Sequence, residues 1–284
     1  MACLCACATT TGPHTRSSAA SSSLDRPVRV AVCQTLCIDS DVEGNLRRVE
    51  YALAEAARQD ADIACFAETC LIGWINPDAH RLAGPIPGPL SHRLAALARE
   101  HDIMISIGVS ELEGADLYDS ALLVGRNGEI LLKHRKINTL AGLIEPPYAS
   151  GQVEDIRVVD TPIGRVGMLI CADTFIDSHI EAVAAQRPDL VLVPYGWAAD
   201  PDAWPGHGES LAAWVRSVAG RTQCPVFGTD VVGSVSQGPW KGKIYGGQSV
   251  VADGQGRVVE VLRDRDPQVR VFEVTREGVA GAAD

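Results

Sequence analysis

From residue 28 onward, short apolar runs alternate with stretches whose apolar residues recur at helical spacing. Residues 28–36 are an apolar run of strand length. The segment 42–59 carries apolar side chains at three- and four-residue steps behind Asp39, Ser40 and Asp41, residue types that cap helices. A second strand is expected over 62–67, stopping at Glu68, and a loop rich in Gly and Pro continues to Pro89. Helical spacing returns at 90–100, and a strand follows at 103–109. The runs 118–124 and 130–134 flank Asn127-Gly128, a pair that tolerates left-handed backbone and so predicts a hairpin. After a long loop, 136–152, the stretch 158–170 holds two strands about a turn at Pro162, Ile163 and Gly164. A helix over 176–186, a strand over 190–193, a helix over 210–221 and strands over 226–232, 249–252, 257–262 and 269–274 complete the pattern. Strands and helices interleave with no repeat and no linker after residue 27, which predicts one α/β domain with mixed strand pairing.

Residues 1–26 break this rhythm. They are small, polar and low in complexity, with too little apolar surface to bury, and a disordered tail is expected. The folded domain is expected over 27–275, with a C-terminal tail over 276–284. The first stretch lacks the apolar core of a secretory signal, although with no acidic residue before Asp25 a transit peptide stays open. Charge narrows the partners. A net charge of −11 and a pI near 5.1 argue against a nucleic-acid or anionic-membrane partner. No apolar stretch reaches the roughly 18 residues that a spanning helix needs. The nine cysteines are odd in number and match neither a zinc motif nor a disulfide framework, so reduced thiols and a cytoplasmic location are expected. Cys3, Cys5 and Cys7 alone have a spacing that could suit a soft metal ion.

The candidate chemistry gathers at strand ends. Cys171 follows the apolar run 166–170 and precedes a helix expected from near Phe175. A thiol at the rim of a sheet can enter a pocket, and the free N–H groups of a helix start favour a thiolate or an oxyanion. The alternative is a buried cysteine acting as a small hydrophobe. Glu68 and Lys136 also fall at or just past strand ends, where catalytic groups of α/β sheets collect. A carboxylate can take the thiol proton, and a cation can hold the thiolate and then the oxyanion. Lysine occurs only at Lys133, Lys136, Lys241 and Lys243, so its use at 136 hints that a compact ammonium is wanted there. Taken singly, Glu68 reads equally as a solvated carboxylate and Lys136 as one member of a basic run.

In order and context these residues resemble the nitrilase, or carbon–nitrogen hydrolase, superfamily, over about residues 28–275. Val30-Ala31-Val32-Cys33-Gln34 is similar to its first strand. Phe66-Ala67-Glu68-Thr69-Cys70-Leu71-Ile72-Gly73-Trp74 is similar to its Glu motif, with Ala67 in place of the usual Pro. His134-Arg135-Lys136-Ile137-Asn138 resembles its Lys motif, and Gly167-Met168-Leu169-Ile170-Cys171-Ala172-Asp173 its Cys motif. Gly246-Gly247-Gln248-Ser249 and Asp253-Gly254 resemble its end strands. The resemblance implies a single-domain four-layer α-β-β-α sandwich with Cys171 as nucleophile, Glu68 as general base and Lys136 as oxyanion and positioning group. It further implies the Ala172 N–H as a second oxyanion donor, Glu145 as a supporting carboxylate, and pocket walls near Tyr195 and Trp197. Trp74, Trp197, Trp204 and Trp240 all lie in loops and suggest a partly aromatic pocket with Trp74 in its wall. Asp230 and His207 receive no role.

The implied activity is hydrolysis of a non-peptide C–N bond in a small amide through a thioester acyl-enzyme, without metal or organic cofactor. A nitrilase or an N-carbamoyl hydrolase on the same triad is the alternative, and a catalytically silent binding or regulatory protein of the same fold is the alternative of another class. Cys171-Ala172-Asp173 carries the Asp of many amidases and lacks the Trp-Glu that follows the nucleophile in true nitrilases. The resemblance also implies a homodimer or higher homo-oligomer, with the helix 176–186 as candidate face; its apolar Ile176, Ile180, Val183 and Ala184 could equally face the chain's own core.

Overall fold

A computed structural model of the chain describes residues 26–140 and 142–282. The expected N-terminal tail, with Cys3, Cys5 and Cys7, lies outside the described residues. In the first half the elements are β1 (Val28–Gln34), β2 (Leu36–Ile38), α1 (Val42–Arg58), β3 (Ile63–Cys65), α2 (Ala79–Leu82), α3 (Pro89–Glu100), β4 (Met104–Glu113), β5 (Asp116–Val124) and β6 (Ile130–Arg135). The second half supplies β7 (Val158–Thr161), β8 (Gly164–Met168), α4 (Asp177–Ala184), β9 (Leu190–Pro194), β10 (Ala198–Ala199), α5 (Gly208–Thr222), β11 (Val226–Thr229) and β12 (Val232–Ser234). The chain closes through β13 (Ile244–Gly246), β14 (Val250–Ala252), β15 (Val258–Val261), β16 (Gln268–Thr275) and β17 (Gly278–Gly281).

Side chains alternate across each strand, and this alternation builds the layers. In β1, Val30 and Val32 join one core while Ala31 and Cys33 join another. The first core lies between a seven-stranded sheet, ordered β17-β16-β1-β3-β4-β5-β6, and a six-stranded sheet, ordered β15-β14-β11-β9-β8-β7. Val30, Ile63, Met104 and Phe272 of one sheet share it with Met168, Leu192 and Phe227 of the other. The second core places Leu46, Val49 and Leu53 of α1 and Leu94 and Ala98 of α3 over the outer face of the seven-stranded sheet. On the far side, Ile180 and Val183 of α4 and Leu211, Val215 and Val218 of α5 cover the six-stranded sheet. The result is the expected four-layer α-β-β-α sandwich.

Most elements start and stop where the pattern placed them. Asp41 caps α1, its Oδ1 accepting from the Gly44 N–H at 3.0 Å. Asn127-Gly128 turns β5 into antiparallel β6. Two expected strands are each broken in two: 28–36 into β1 and β2, and 226–232 into β11 and β12. The departing pieces join β10 and β13 in a third, four-stranded sheet. Apolar continuity conceals these breaks. They are fixed by long-range polar contacts, in which Gln34 Nε2 donates to the carbonyls of Arg263 and Asp266 and Gln34 Oε1 accepts from Ser249 N–H. The expected C-terminal tail is corrected as well: residues 278–281 form β17, which pairs antiparallel with β16. On α4 the core-facing alternative describes two of the four apolar residues. Ile180 and Val183 are buried in the chain's own core, while Ile176, 38% exposed, and the half-buried Ala184 face outward in part. Among the described residues no helix is long and apolar enough to cross a membrane.

One close approach positions the first catalytic candidate. Gly108 of β4 lies against the turn after β3, its N–H donating to the Ala67 carbonyl at 3.0 Å. A Cβ here would stand 2.5 Å from the Glu68 Cα and 2.7 Å from the Ala67 carbonyl oxygen, both backbone atoms that have little room to move. Gly108→Ala is therefore expected to cost about 1–3 kcal/mol of stability through overpacking. It should also lower turnover more than an equally destabilising change elsewhere, because it displaces Glu68. Denaturant titration alongside an activity assay checks both.

Candidate active site

Lys136 follows β6 directly, and the period of two along that strand decides what it does. Lys133 and Arg135 point to one face, where both pair with Glu111, 1% exposed, at 2.5 and 2.7 Å. His134 and Lys136 point to the other face and are buried. The β5–β6 register sets Asp119 opposite Lys136, whose backbone N–H donates to the Asp119 carbonyl at 2.8 Å. Lys136 Nζ forms an ion pair with Glu68 Oε1 and lies 3.4 Å from Asp119 Oδ2. It also stands 5.7 Å from the centroid of the Trp74 ring. Glu68 is held from behind: its N–H donates to the Tyr195 carbonyl at 3.2 Å.

Cys171 sits in a strained turn three residues past β8. Its φ is +40°, an unfavourable value for a residue with a Cβ, and it opens a short 3₁₀ turn, Cys171–Phe175. The turn is fastened by Asp173. Oδ1 of Asp173 accepts from the Ile137 and Asn138 N–H groups at 2.9 and 2.8 Å, and Oδ2 bonds His134 Nε2 at 2.9 Å and accepts from Ile170 N–H at 3.1 Å. One buried carboxylate thus ties the Lys136 segment to the Cys171 turn. Burial opposes its ionisation, but the His134 hydrogen bond and charge and the Asn138 N–H hold it below the usual carboxylate range. Asn138 Nδ2 also donates to the Ala172 carbonyl at 2.9 Å, and Thr174 Oγ1 to the Cys171 carbonyl at 2.7 Å.

The charges settle into a balanced set. Burial alone would lower the Lys136 pKa, but Glu68, Cys171 and Asp119 raise it well above the ordinary lysine value, so it stays an ammonium. Burial, and then the charge of Glu68, push Asp119 well up, so it keeps its proton despite Lys136. Burial likewise drives the Cys171 thiol well up, with the Glu68 charge adding to the rise while Lys136 and the Gly196 N–H oppose it. The resting set thus has Lys136 as an ammonium, Asp119 as an acid and Cys171 as a thiol. Among the described residues, Glu68 Oε2, both Asp119 carboxyl oxygens and the Tyr148 hydroxyl are buried without a well-formed hydrogen bond. Such orphaned groups mark where a polar ligand would dock.

The three catalytic candidates therefore meet. Of the others, Ala172 is fully buried beside Cys171, and Trp74 and Trp197 line a pocket of about 140 Å³ that opens on Cys171. Tyr195 does not line it. It is fully buried, and its hydroxyl donates to Thr174 Oγ1 at 3.3 Å, so it supports the nucleophile turn from beneath. Glu145 is exposed in its loop and makes no contact with the cluster among the described residues; the buried carboxyl beside Lys136 is Asp119. A charged residue inside the apolar run 117–124 was the available signal for Asp119. Trp240, one of the four loop tryptophans, is also in the pocket wall, together with Phe175 and His207, which carried no signal beyond being aromatic residues in or near loops. Asp230 gains a role by accepting from the Trp197 N–H at 2.7 Å, which fixes that wall. Among the described residues no group of His, Cys, Asp or Glu is arranged to hold a metal ion.

Known proteins resemble the chain in sequence and in fold. The carbon–nitrogen hydrolase family matches residues 29–284. A bifunctional nitrilase/nitrile hydratase of Lupinus angustifolius is 34% identical over 186 residues, which cover 59% of this chain and 53% of that protein. Nitrilase 3 of Arabidopsis thaliana is 28% identical over 186 residues, 59% of this chain and 54% of that protein. The chain spans about half the length of the curated relatives it matches. Among solved structures, a variant of the amidase from Nesterenkonia sp. AN1, with the acetamide moiety of fluoroacetamide covalently added at its active-site cysteine, superposes with a TM-score of 0.74. It is 21% identical, with 90% of each chain covered. A variant of the same amidase in complex with butyramide gives a TM-score of 0.73 at 20% identity, again with 90% of each chain covered. These structures share the fold.

The charge balance predicts a titration. Because burial and Glu68 keep the Cys171 thiol protonated, its alkylation by iodoacetamide should keep accelerating beyond about pH 9, past the ordinary thiol range. Lys136→Ala should move the profile to still higher pH, since the thiolate loses its cation. Asp119→Asn should leave it nearly unchanged, since it replaces a neutral acid with a neutral amide. Mass-resolved labelling across pH measures all three; a plateau reached by pH 7 would mean a preformed thiolate.

Proposed function

The chain belongs to the carbon–nitrogen hydrolase family, and on that premise we propose that it hydrolyses the amide bond of a small molecule, with Cys171 as nucleophile. The observation that carries this reading is the meeting of a buried thiol, ammonium and carboxylate at one pocket. Glu68 takes the thiol proton as Cys171 Sγ attacks the amide carbon. The carbonyl oxygen becomes an oxyanion held by the Lys136 ammonium and the Ala172 N–H. As the C–N bond breaks, Glu68 gives its proton to the leaving nitrogen, ammonia or an amine departs, and a thioester remains on Cys171. Water then loses a proton to Glu68 and adds to the thioester; the C–S bond breaks, the acid leaves, and Glu68 returns the proton to sulfur. A thiol that rests protonated suits this order, because the proton moves only when the substrate is present to be attacked. Asp119, neutral, supplies shape and polarity beside Lys136 without a second negative charge that would compete for it.

Support for cysteine chemistry comes from the amidase of similar fold, whose active-site cysteine carries the added acetamide moiety. The sequence relatives named nitrilases favour a second reading, nitrile hydrolysis. The amide reading is preferred because the leaving amine of an amide needs the proton that Glu68 has taken, and because Cys171-Ala172-Asp173 lacks Trp-Glu after the nucleophile. A matched nitrile and amide with the same side chain separate the two. Faster turnover of the amide is expected; faster conversion of the nitrile to free acid would make the protein a nitrilase.

The triad should fail as a unit. Cys171→Ala is expected to abolish ammonia release while still binding amide, and Glu68→Gln and Lys136→Ala each to lose about a thousandfold or more. The Glu68→Gln, Lys136→Ala double variant should be little worse than either alone. Independent, multiplying losses in this cycle would contradict the shared role.

A further inference from the structure

The pocket beside Cys171 is walled by the side chains of Trp74, Leu140, Phe175, Trp197, His207 and Trp240, none of which carries a fixed charge. Two groupings hold the rings in place. Trp74 and Trp240 meet edge to face at 5.1 Å. Trp197 meets Phe175 edge to face at 5.8 Å and stacks on His207 at 5.5 Å. Burial, helped by the Lys243 ammonium, lowers the His207 pKa, so the imidazole adds no charge near neutral pH. The nearby ions are already committed. Lys136 is paired with Glu68, and Lys243 with Asp200 at 3.0 Å.

We propose that this pocket receives the acyl part of the substrate, and that it selects neutral, apolar acyl groups no larger than about one benzene ring. The inference rests on the amide-hydrolase reading above for the identity of the reacting group. The size limit follows from the volume: an apolar cavity of about 150 Å³ accommodates benzene, and this one measures about 140 Å³. The charge limit follows from the lining. A carboxylated acyl group would lose its hydration against the negative faces of aromatic rings and meet no free cation among the described lining residues. An ammonium-bearing group could in principle use those faces. Here, however, Lys136 Nζ already stands 5.7 Å from the Trp74 centroid and Lys243 Nζ 5.2 Å from that of Trp240, so these two rings already serve the protein's own cations.

The test uses the full chain and primary amides matched in shape: 4-methylpentanamide, its anionic counterpart succinamate, and 4-aminobutanamide as the cation. The neutral amide is expected to exceed both charged ones in kcat/KM by about a hundredfold or more. Phenylacetamide should likewise exceed 1-naphthylacetamide, and Trp240→Ala should narrow that second gap by opening the wall. Binding of the same compounds to the Cys171→Ala variant, followed by tryptophan fluorescence, reads the pocket independently of the chemistry. If no amide is hydrolysed but the variant binds the neutral compounds in preference, the reaction assignment fails and the pocket assignment stands. If amides are hydrolysed but succinamate or 4-aminobutanamide matches the neutral compound, or the two-ring amide matches the one-ring amide, the pocket assignment is overturned. Equal binding of charged and neutral compounds by the variant overturns it as well.

Discussion

A buried ammonium is the constraint on which the rest of the site depends. Lys136 is 1% exposed and has no water to stabilise its charge, so the protein must neutralise it from within. Glu68 does so by direct pairing, while Asp119, 3.4 Å away and held neutral, adds polarity without a second charge. Removing one member of such a pair leaves an uncompensated charge, at a cost of about 3–5 kcal/mol. The pair needs two different strand ends to arrive together. β6 brings Lys136 through its register with β5, and the Gly108 contact on β4 brings Glu68. The layered core between the sheets is therefore also what fixes the electrostatics.

The nucleophile comes from the other sheet, and the two halves must be held in register across the sandwich. Asp173 does this with four hydrogen bonds, two to the backbone just after Lys136, one to His134 and one to Ile170 within the Cys171 turn. Because Asp173 is tied to both segments, the positive φ of Cys171 is held rather than relaxed. The site is over-determined where the chemistry is proposed to occur, while Glu68 Oε2 has no well-formed hydrogen bond among the described residues. Tyr195 and Asp230 serve the same arrangement from behind, through Thr174 and through the Trp197 N–H.

How much of this the sequence reveals depends on what each feature owes to local order. Glu68, Lys136 and Cys171 are legible because each sits at the end of an apolar run, and strand ends converge in an α/β sandwich. Lys133 lies three residues before Lys136 in the same basic run; strand period puts it on the opposite face, where it neutralises Glu111. Asp119 is legible in principle, as the one charge within the apolar run 118–124, whereas the exposed loop residue Glu145 is not part of the cluster. The splitting of β1 from β2 and of β11 from β12 was not legible, since the apolar runs continue through the breaks and the cause lies in contacts such as Gln34 with Ser249, distant in sequence. The pocket was legible only in outline. Loop tryptophans announced an aromatic wall, but their sorting into wall (Trp74, Trp197, Trp240) and support (Trp204, packed over Gly246) is set by loop paths that no periodicity encodes.

The central claim is that the thiol of Cys171 carries the acyl group during turnover. Rapid acid quench of the chain with excess amide, followed by intact-mass and peptide mass spectrometry, tests it directly. The account predicts a mass increase equal to the acyl group, confined to the peptide containing Cys171 and lost as the acid forms. Turnover with no adduct at any quench time, or an adduct on another residue such as Cys70, would contradict it.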